Sequence, residues 1–291
     1  MGPWLRRLSQ EFPSLRPPLF SLIRLWFVAA AAAALMGCLA GPAVTLQPGS
    51  AAPSGNAGAN AAPSAAEALR RSGFDFMTPA TQALQRDDSA NPAMLWVQGG
   101  QQRFEADCKR CHAAASLRGS AARHPAFDDV LGKPVTLAGR INQCRQRHDG
   151  LAPWAWESEA LLELEAYVAH QSRGLPLAAV EDPRLQAATA QGGRLWRQPL
   201  GQLQLSCEQC HDQQAGRRLA GSTIPQAHAT GYPLYRLEWQ ALGSLQRRLR
   251  GCMGGVRAEP FAYGADEWVA LELWLRQRAA GLLLETPAVR P

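Results

Sequence analysis

Lysine is almost absent from this chain of 291 residues, which has only two lysines among its 30 basic residues. Arginine therefore carries the positive charge, and its planar guanidinium favours forked binding of small oxyanions over diffuse binding of nucleic acid. The chain also lacks a segment in which aromatic and basic residues alternate, and its net charge of +6 is moderate. We therefore expect no nucleic-acid partner.

A long apolar run is missing too. The apolar stretch Leu25–Leu35 is too short to span a membrane comfortably. The arginines that precede it are Arg6, Arg7, Arg16 and Arg24. This arrangement is typical of an export signal, which we predict over residues 1–43, followed by release into the periplasm. Leu35–Cys38 resembles a lipoprotein cleavage box, so lipid attachment at Cys38 and ordinary cleavage slightly later both stay open.

Hydrophobic periodicity is missing from residues 44–66, which consist mainly of Ala, Gly, Pro, Ser and Asn. Such a composition cannot bury enough apolar surface to fold, and it is typical of a flexible tether. We predict this tether over residues 44–71.

Cysteine is scarce, but its spacing is informative. Four of the seven cysteines belong to two C-x-x-C-H motifs, Cys108–His112 and Cys207–His211. In this motif the two thiols bind the haem vinyl groups, and the histidine is the proximal iron ligand. The sequence therefore predicts two covalently bound haem c groups, and two redox or zinc C-x-x-C pairs are the weaker alternative. The predicted haem-binding residues are Cys108, Cys111 and His112 for the first group and Cys207, Cys210 and His211 for the second.

Each motif is followed by one leftover cysteine, and both cysteines occur in the same pattern. Arg140-x-x-x-Cys144 follows the first motif, and Arg248-x-x-x-Cys252 follows the second. A helical pattern that ends at glycine comes after each of them, over residues 159–174 and 266–281. The matching apolar stripes are Leu161, Leu164, Tyr167 and Val168 in the first helix and Trp268, Leu271, Trp274 and Leu275 in the second.

This repeat predicts the architecture. No convincing strand-like alternation is present. We predict an all-α fold of two tandem class I cytochrome c-like haem domains, one over residues 72–178 and one over residues 179–291.

Methionine is missing between His112 and the end of the first domain, which bears on the sixth iron ligand. Electron-carrying cytochromes of this class usually use methionine or histidine there. The repeat instead favours Cys144 and Cys252, because an arginine one turn away favours a thiolate. Other candidates are His124, His148 and His170 in the first domain and His228 and Met253 in the second. A Cys144–Cys252 disulfide, an inert Cys144 thiol, and Met253 as ligand beside a free Cys252 stay open.

The residues around Cys252 indicate an anion site. Arg248 keeps the spacing of its counterpart Arg140. Further arginines in this stretch are Arg247, Arg250 and Arg257. Several guanidinium groups beside a sulfur lower the pKa of its thiol and bind a small dianion. For Arg247 and Arg250 a solvated basic loop is an equally good interpretation. A haem-bound sulfur beside an anion site favours redox chemistry on a sulfur oxyanion.

The chain resembles the SoxA family, the catalytic dihaem subunits of the SoxAX cytochromes of bacterial thiosulfate oxidation. The likeness covers nearly everything after the tether. The stretches that carry it are residues 72–76, 91–97, 141–145, 166–174, 231–233, 235–236, 239–240, 243–245, 248–252 and 257–260.

The resemblance implies a role for each site residue. Cys144 would be the thiolate ligand opposite His112, and Cys252 the active-site ligand opposite His211, typically as a persulfide. Arg248 would bind substrate or stabilise the persulfide. The implied reaction is oxidative conjugation of thiosulfate to the carrier-protein cysteine of SoxYZ. The electrons would pass via haem to SoxX, a monohaem cytochrome c that forms a heterodimer with the family's members.

Two other functions remain as alternatives. A periplasmic dihaem electron carrier would use histidine or methionine as distal ligands. A dihaem peroxidase would need an openable iron and distal acid–base groups. Neither explains the repeated Arg-x-x-x-Cys pattern.

Overall fold

Helices dominate the structure, a computed structural model that describes residues 70–291. The predicted export signal, Cys38 and nearly all of the predicted tether lie outside this range. The described residues belong to one compact unit. Its α-helices are α1 (Pro79–Arg86), α2 (Met94–Arg103), α3 (Ser120–Arg123), α4 (Leu137–Asp149), α5 (Glu159–His170), α6 (Gln186–Arg197), α7 (Cys207–His211), α8 (Leu245–Gly255) and α9 (Asp266–Arg278).

Seven short strands occur within residues 70–291, so the prediction of an all-α fold is corrected. They are β1 (Ala126–Asp128), β2 (Lys133–Val135), β3 (Arg218–Leu219), β4 (Ser222–Thr223), β5 (Leu234–Arg236), β6 (Ala241–Gly243) and β7 (Val289–Arg290). The antiparallel pairs are β1–β2, β3–β4 and β5–β6, and β7 joins β5 in parallel. Strands of two or three residues are too short to show alternation in a sequence.

Two pairs of helices form the frame, α2 against α5 and α6 against α9. Glycine lets each pair approach closely. A Cβ atom at Gly100 would lie 1.9 Å from the carbonyl oxygen of Glu163, and one at Gly192 would lie 2.0 Å from that of Ala270. The same close helix contact therefore occurs twice.

The predicted apolar stripes face the core, as expected from their periodicity. Leu161, Leu164, Tyr167 and Val168 are all buried in α5, and Trp268, Leu271 and Leu275 are buried in α9. The helices end earlier than predicted, at His170 and Arg278.

The glycines that follow the two helices join the N-terminal half (residues 72–178) to the C-terminal half (residues 179–291). Gly174 and Gly281 have φ angles of 78° and 85°, which glycine adopts readily. The Gly174 amide donates to the Leu284 carbonyl at 2.9 Å, and the Gly281 amide donates to the Leu177 carbonyl at 2.8 Å. Each half thus makes the same contact with the other.

A cavity of about 80 Å³ lies beside this junction and is lined by residues of both halves. Two carboxyl side chains, Glu165 of α5 and Glu272 of α9, line it together with His124 and Arg276. Within residues 70–291 the Oε2 atom of Glu165 and the Nε2 atom of His124 are buried without a hydrogen-bond partner.

None of the described helices has the length and apolar character needed to cross a membrane.

Candidate functional site

The second C-x-x-C-H motif forms the short helix α7, and its sequence explains why it begins there. The Ser206 side chain accepts a hydrogen bond from the Gln209 amide at 3.2 Å, while the Gln209 side chain accepts one from the Ser206 amide at 2.8 Å. This reciprocal capping box satisfies two amides that would otherwise lack partners. Cys207 stands one helical turn before Cys210 and His211, so the three side chains lie on one face of the helix.

The His211 ring has a defined orientation. Its Nδ1 atom lies 2.7 Å from the carbonyl oxygen of Pro225. Because a carbonyl can only accept, Nδ1 carries the proton and Nε2 is left as the metal-binding nitrogen. Burial lowers the pKa of His211, which keeps the ring neutral.

Helix α8 brings the second leftover cysteine to this motif. Ser244 caps the helix by accepting from the Arg247 amide at 3.1 Å. Arg248 and Cys252 stand one turn apart and therefore lie on one face. Burial and, to a smaller extent, the charge of the nearby Cys252 together raise the pKa of Cys207 to about 11. The two thiols therefore belong to one site.

Arg248 is placed beside this thiol without a carboxylate of its own. In the described part of the chain it forms no ion pair, and its electrostatic partners are Cys252, Tyr232 and Glu238. Burial alone would lower the pKa of Arg248, but these partners raise it above the ordinary value. A half-buried, charged guanidinium that forms no ion pair within the described residues is suited to binding an external anion.

The first C-x-x-C-H motif follows α2 through the π-helical turn Phe104–Cys108. Cys111 and His112 are exposed. Burial raises the pKa of Cys108, as do the charges of Asp107 and Cys144. Cys144 of α4 therefore lies beside the first motif, as Cys252 lies beside the second.

The arginine of the first repeat differs from Arg248 in one respect. Asp128, whose side chain is 1% exposed, forms an ion pair with Arg140. Arg147 donates two further hydrogen bonds to the same carboxylate, both at 3.0 Å. The basic group beside Cys144 is therefore already neutralised from within the protein.

The other candidate ligands are placed elsewhere or are engaged. His148 is exposed, and Met253 packs in the core with Trp268 and Leu271. Nδ1 of His228 lies 2.7 Å from the Arg71 carbonyl. Burial lowers the pKa values of His124 and His170, which lie in a loop and at the end of α5. All six cysteines in the described residues are free thiols, so the structure contains no Cys144–Cys252 disulfide.

Two of the arginines near Cys252 serve as packing residues. The Arg247 guanidinium lies 4.2 Å from the centroid of the Trp239 ring. Arg250 donates to the Phe261 carbonyl and lies 4.5 Å from the Tyr263 ring centroid. Arg257 is exposed and lines an open groove beside Met253.

Two residues near Arg248 were given no role from the sequence. Tyr232 and Arg236 both interact electrostatically with it, and Tyr232 also with Cys252. The sequence did contain a signal for this segment. Pro125 and Pro233 stand equally far before Cys144 and Cys252, respectively. Aligning those prolines would have extended the repeat to this segment.

A family model for the SoxA/TsdA cytochrome c domain matches residues 93–177 and 191–284. The L-cysteine S-thiosulfotransferase subunit SoxA of Rhodovulum sulfidophilum is 34% identical over 229 residues, which cover 76% of this chain and 80% of that protein. The chain belongs to the SoxA family. The resemblance that was predicted from its motifs is thereby confirmed.

Two further comparisons agree with membership of the SoxA family. The subunit of the same name from Paracoccus pantotrophus is 32% identical over 227 residues, covering 75% of this chain and 78% of that one. The crystal structure of SoxXA from P. pantotrophus contains a chain that aligns with a TM-score of 0.73 at 31% identity. That alignment covers 76% of this chain and 87% of the other.

A cytochrome c domain holds its cofactor through the C-x-x-C-H motif, so this SoxA-family chain carries covalently bound haem c. The residues of the second motif fit that group, because both thiols are free and the orientation of His211 leaves Nε2 available. Within residues 70–291 no cluster of three or more His, Cys, Asp or Glu side chains forms a separate metal site.

Proposed function

We propose that this chain is the catalytic subunit of an L-cysteine S-thiosulfotransferase. It would conjugate thiosulfate oxidatively to the carrier-protein cysteine of SoxYZ, with the electrons passing to a SoxX-type monohaem cytochrome that forms a heterodimer with it. The names of the SoxA relatives and of the SoxXA structure support this assignment. One observation of the site carries it. A thiol and a half-buried guanidinium without an ion-paired carboxylate share one face of α8 beside a haem-attachment motif.

We propose two haem c groups for the chain. Cys108, Cys111 and His112 would hold the first, with Cys144 as the sixth ligand. The second would be held by Cys207, Cys210 and His211, with Cys252 as the sixth ligand. Haem supplies the one-electron steps that an oxidative sulfur transfer requires.

The reaction would proceed in two steps through the sulfur of Cys252. The Cys252 sulfur would form an S–S bond to the sulfane sulfur of thiosulfate and lose two electrons, one to the haem of this chain and one to that of the cytochrome partner. The carrier thiolate then attacks that sulfane sulfur, forms its own S–S bond and releases the Cys252 thiolate. Arg248 would hold the sulfonate oxygens throughout.

We also propose the finer architecture of the chain. Residues 72–178 and 179–291 would be tandem class I cytochrome c-like domains, and the matching helix pairs at Gly100 and Gly192 support the repeat. An export signal over residues 1–43 and a periplasmic location would follow from attachment of haem outside the cytoplasm. Either lipid attachment at Cys38 or ordinary cleavage slightly later, together with a flexible tether over residues 44–71, belongs to this proposal.

Low-temperature electron paramagnetic resonance (EPR) of the oxidised haem-loaded protein tests the ligands. We expect low-spin thiolate-type signals, one lost in Cys144→Met and another in Cys252→Met. Methionine-type or bis-histidine signals in the parent protein would instead identify a dihaem electron carrier.

The mass of SoxYZ after incubation with thiosulfate, the protein and its cytochrome partner tests the reaction. We expect the carrier to gain a thiosulfonate group with the parent protein and none with Cys252→Ala. Arg184→Gln removes one charge from an exposed arginine that pairs with Asp182, so it is the control and should keep the parent's rate. A parent rate for Cys252→Ala would reject the proposed role.

A further inference from the structure

The segment that leads to each leftover cysteine has the same build in both halves. A hairpin of two three-residue strands comes first, and the helix that carries the cysteine follows. In the first hairpin Ala126 pairs with Val135 and Asp128 with Lys133. In the second, Leu234 pairs with Gly243 and Arg236 with Ala241.

The two hairpins can therefore be aligned position by position. Each is followed at once by a capping hydroxyl, which belongs to Thr136 in α4 and to Ser244 in α8. Asp128 is the last residue of β1 and Arg236 the last of β5. Each stands sixteen residues before its cysteine. A carboxylate in one half thus occupies the position of a guanidinium in the other.

In the N-terminal half the carboxylate completes a closed ionic cluster. Arg140 and Arg147 bind Asp128 from two turns of α4. The hydrogen bonds from Arg147 hold the pKa of the Asp128 carboxyl far below its usual range. The anion beside Cys144 is therefore supplied by the protein itself.

In the C-terminal half the corresponding cluster has no buried carboxylate, because the acidic residue that interacts with both guanidinium groups, Glu238, is exposed. The Arg236 side chain is 12% exposed, and its Nε atom is buried without a hydrogen-bond partner. Its ion pair at 2.9 Å is with Glu238, whose side chain is 67% exposed. Burial lowers the pKa of Arg236, and the charge of Arg248 lowers it further. Two guanidinium groups therefore repel each other beside Cys252.

An anion between these two groups would remove the repulsion and satisfy the free Nε–H of Arg236. A buried donor without a hydrogen-bond partner costs free energy, so a ligand that brings an acceptor to this Nε–H would be stabilised there. A dianion with several equivalent oxygens matches two guanidinium groups better than one. Arg147 has no counterpart here, because Gly255 stands in its place and leaves room.

From this exchange we infer that Arg236 is a second substrate-binding residue, which holds a small divalent sulfur oxyanion together with Arg248. Asp128 closes the equivalent site in the N-terminal half, so oxyanions bind beside Cys252 and not beside Cys144. This inference rests on the proposed function, because it assigns a further contact to the same substrate.

Calorimetric titration of the haem-loaded protein with thiosulfate, in the absence of SoxYZ, tests the role of Arg236 as a binding residue. We expect Arg236→Gln to raise the dissociation constant at least about 10-fold, since a hydrogen bond to a charged group is lost. Arg236→Lys would recover part of the affinity. The control Arg184→Gln removes the same charge from an exposed arginine and would stay within twofold of the parent.

The outcomes separate the two claims. If Arg236→Gln binds like the control while Arg248→Gln does not bind, the role of Arg236 is refuted and the proposed function stands. If the parent protein binds no thiosulfate and transfers none to SoxYZ, the proposed function itself fails.

Asp128→Asn tests the other half of the inference. It leaves Arg140 and Arg147 without their internal anion, and we expect a second thiosulfate to bind per chain. Sulfate should also raise the melting temperature of this variant more than that of the parent. A stoichiometry of one with no added stabilisation by sulfate would refute the closing role of Asp128. If the variant does not fold, the Arg236 titration decides alone.

Discussion

Glu165 and Glu272 occupy equivalent positions of helices α5 and α9 and line the same cavity. Burial raises the pKa of Glu165 to about 8, and the charges of Glu272 and Glu157 add to the shift. Burial also raises the pKa of Glu272 to about 7, against a hydrogen bond donated by Gln246 at 2.9 Å. Both carboxyl groups therefore stay protonated at pH values well above the ordinary pKa of a glutamate.

Such shifts make folding depend on pH. The unfolded chain releases these protons near pH 4.5, whereas the folded chain keeps them until about pH 7 to 8. The contribution of these two groups to the free energy of unfolding is thus most favourable below pH 4.5 and falls as the pH rises toward 8. We expect Glu165→Gln, which is neutral at every pH, to be about 1–3 kcal/mol more stable than the parent at pH 8.

Denaturant unfolding of the haem-loaded protein at pH 5 and pH 8 measures this difference. His124 and Arg276 line the same cavity, but their contributions are common to parent and variant and cancel in the comparison. Glu181→Gln, at an exposed glutamate, is the control and should follow the parent at both pH values. Parallel pH profiles for Glu165→Gln and the parent would contradict the assignment of buried, protonated carboxyls.

At the scale of elements, the crossings of α2 with α5 and of α6 with α9 depend on single glycines. We expect Gly100→Ala to lower the free energy of unfolding by about 2 kcal/mol or more, because its Cβ atom would overlap the Glu163 carbonyl. Gln101→Ala places alanine on the exposed side of the same helix and should change it little. Denaturant unfolding compares the two, and equal stabilities would show that the helices can separate at no cost.

Local patterns explain which elements the sequence could predict. The haem motifs and the apolar stripes of α5 and α9 depend on residues close together in the chain, so their spacing was sufficient. The ends of those helices were placed too late, at Gly174 and Gly281, because the chain leaves the helix three or four residues before each glycine. The hairpins were missed because three residues cannot display a period of two.

For the site, too, the sequence predicted only the features that depend on residues close together in the chain. Arg248 and Cys252 share one helix, and their repeat partners share another, so local spacing predicted that each pair lies together. Asp128 and Arg236 gain their meaning from the register of two hairpins and from packing against a later helix. Their opposite charges also hid their equivalence, because a repeat is recognised by residues that are alike.

At the scale of the whole molecule, Arg276 connects the two halves. This α9 residue is 6% exposed and donates to the carbonyl groups of Arg123 and Pro125 in the N-terminal half. Burial lowers its pKa to about 10, so it remains charged at neutral pH. A buried cation that serves two carbonyl groups fixes the position of one half against the other.

We expect Arg276→Met to destabilise the protein by about 2–3 kcal/mol, because two buried carbonyl groups lose their donor. The melting temperature of the haem-loaded protein measures this loss. Arg194→Met, at an exposed position of α6, is the control and should melt with the parent. A parent-like melting temperature for Arg276→Met would mean that the halves are held together without this contact.

The opposite charges at Asp128 and Arg236 also affect events in solution, before any ligand is bound. Replacing a carboxylate by a guanidinium changes the local charge by two units, so the electric field of the two halves differs although both contain the same hairpin-and-helix segment. A dianion diffusing toward the molecule is drawn to the half that contains Cys252. Dissolved ions screen such attraction over about 10 Å at 0.1 M ionic strength. The rate of substrate capture should therefore fall as salt is added, even where the bound state is unchanged.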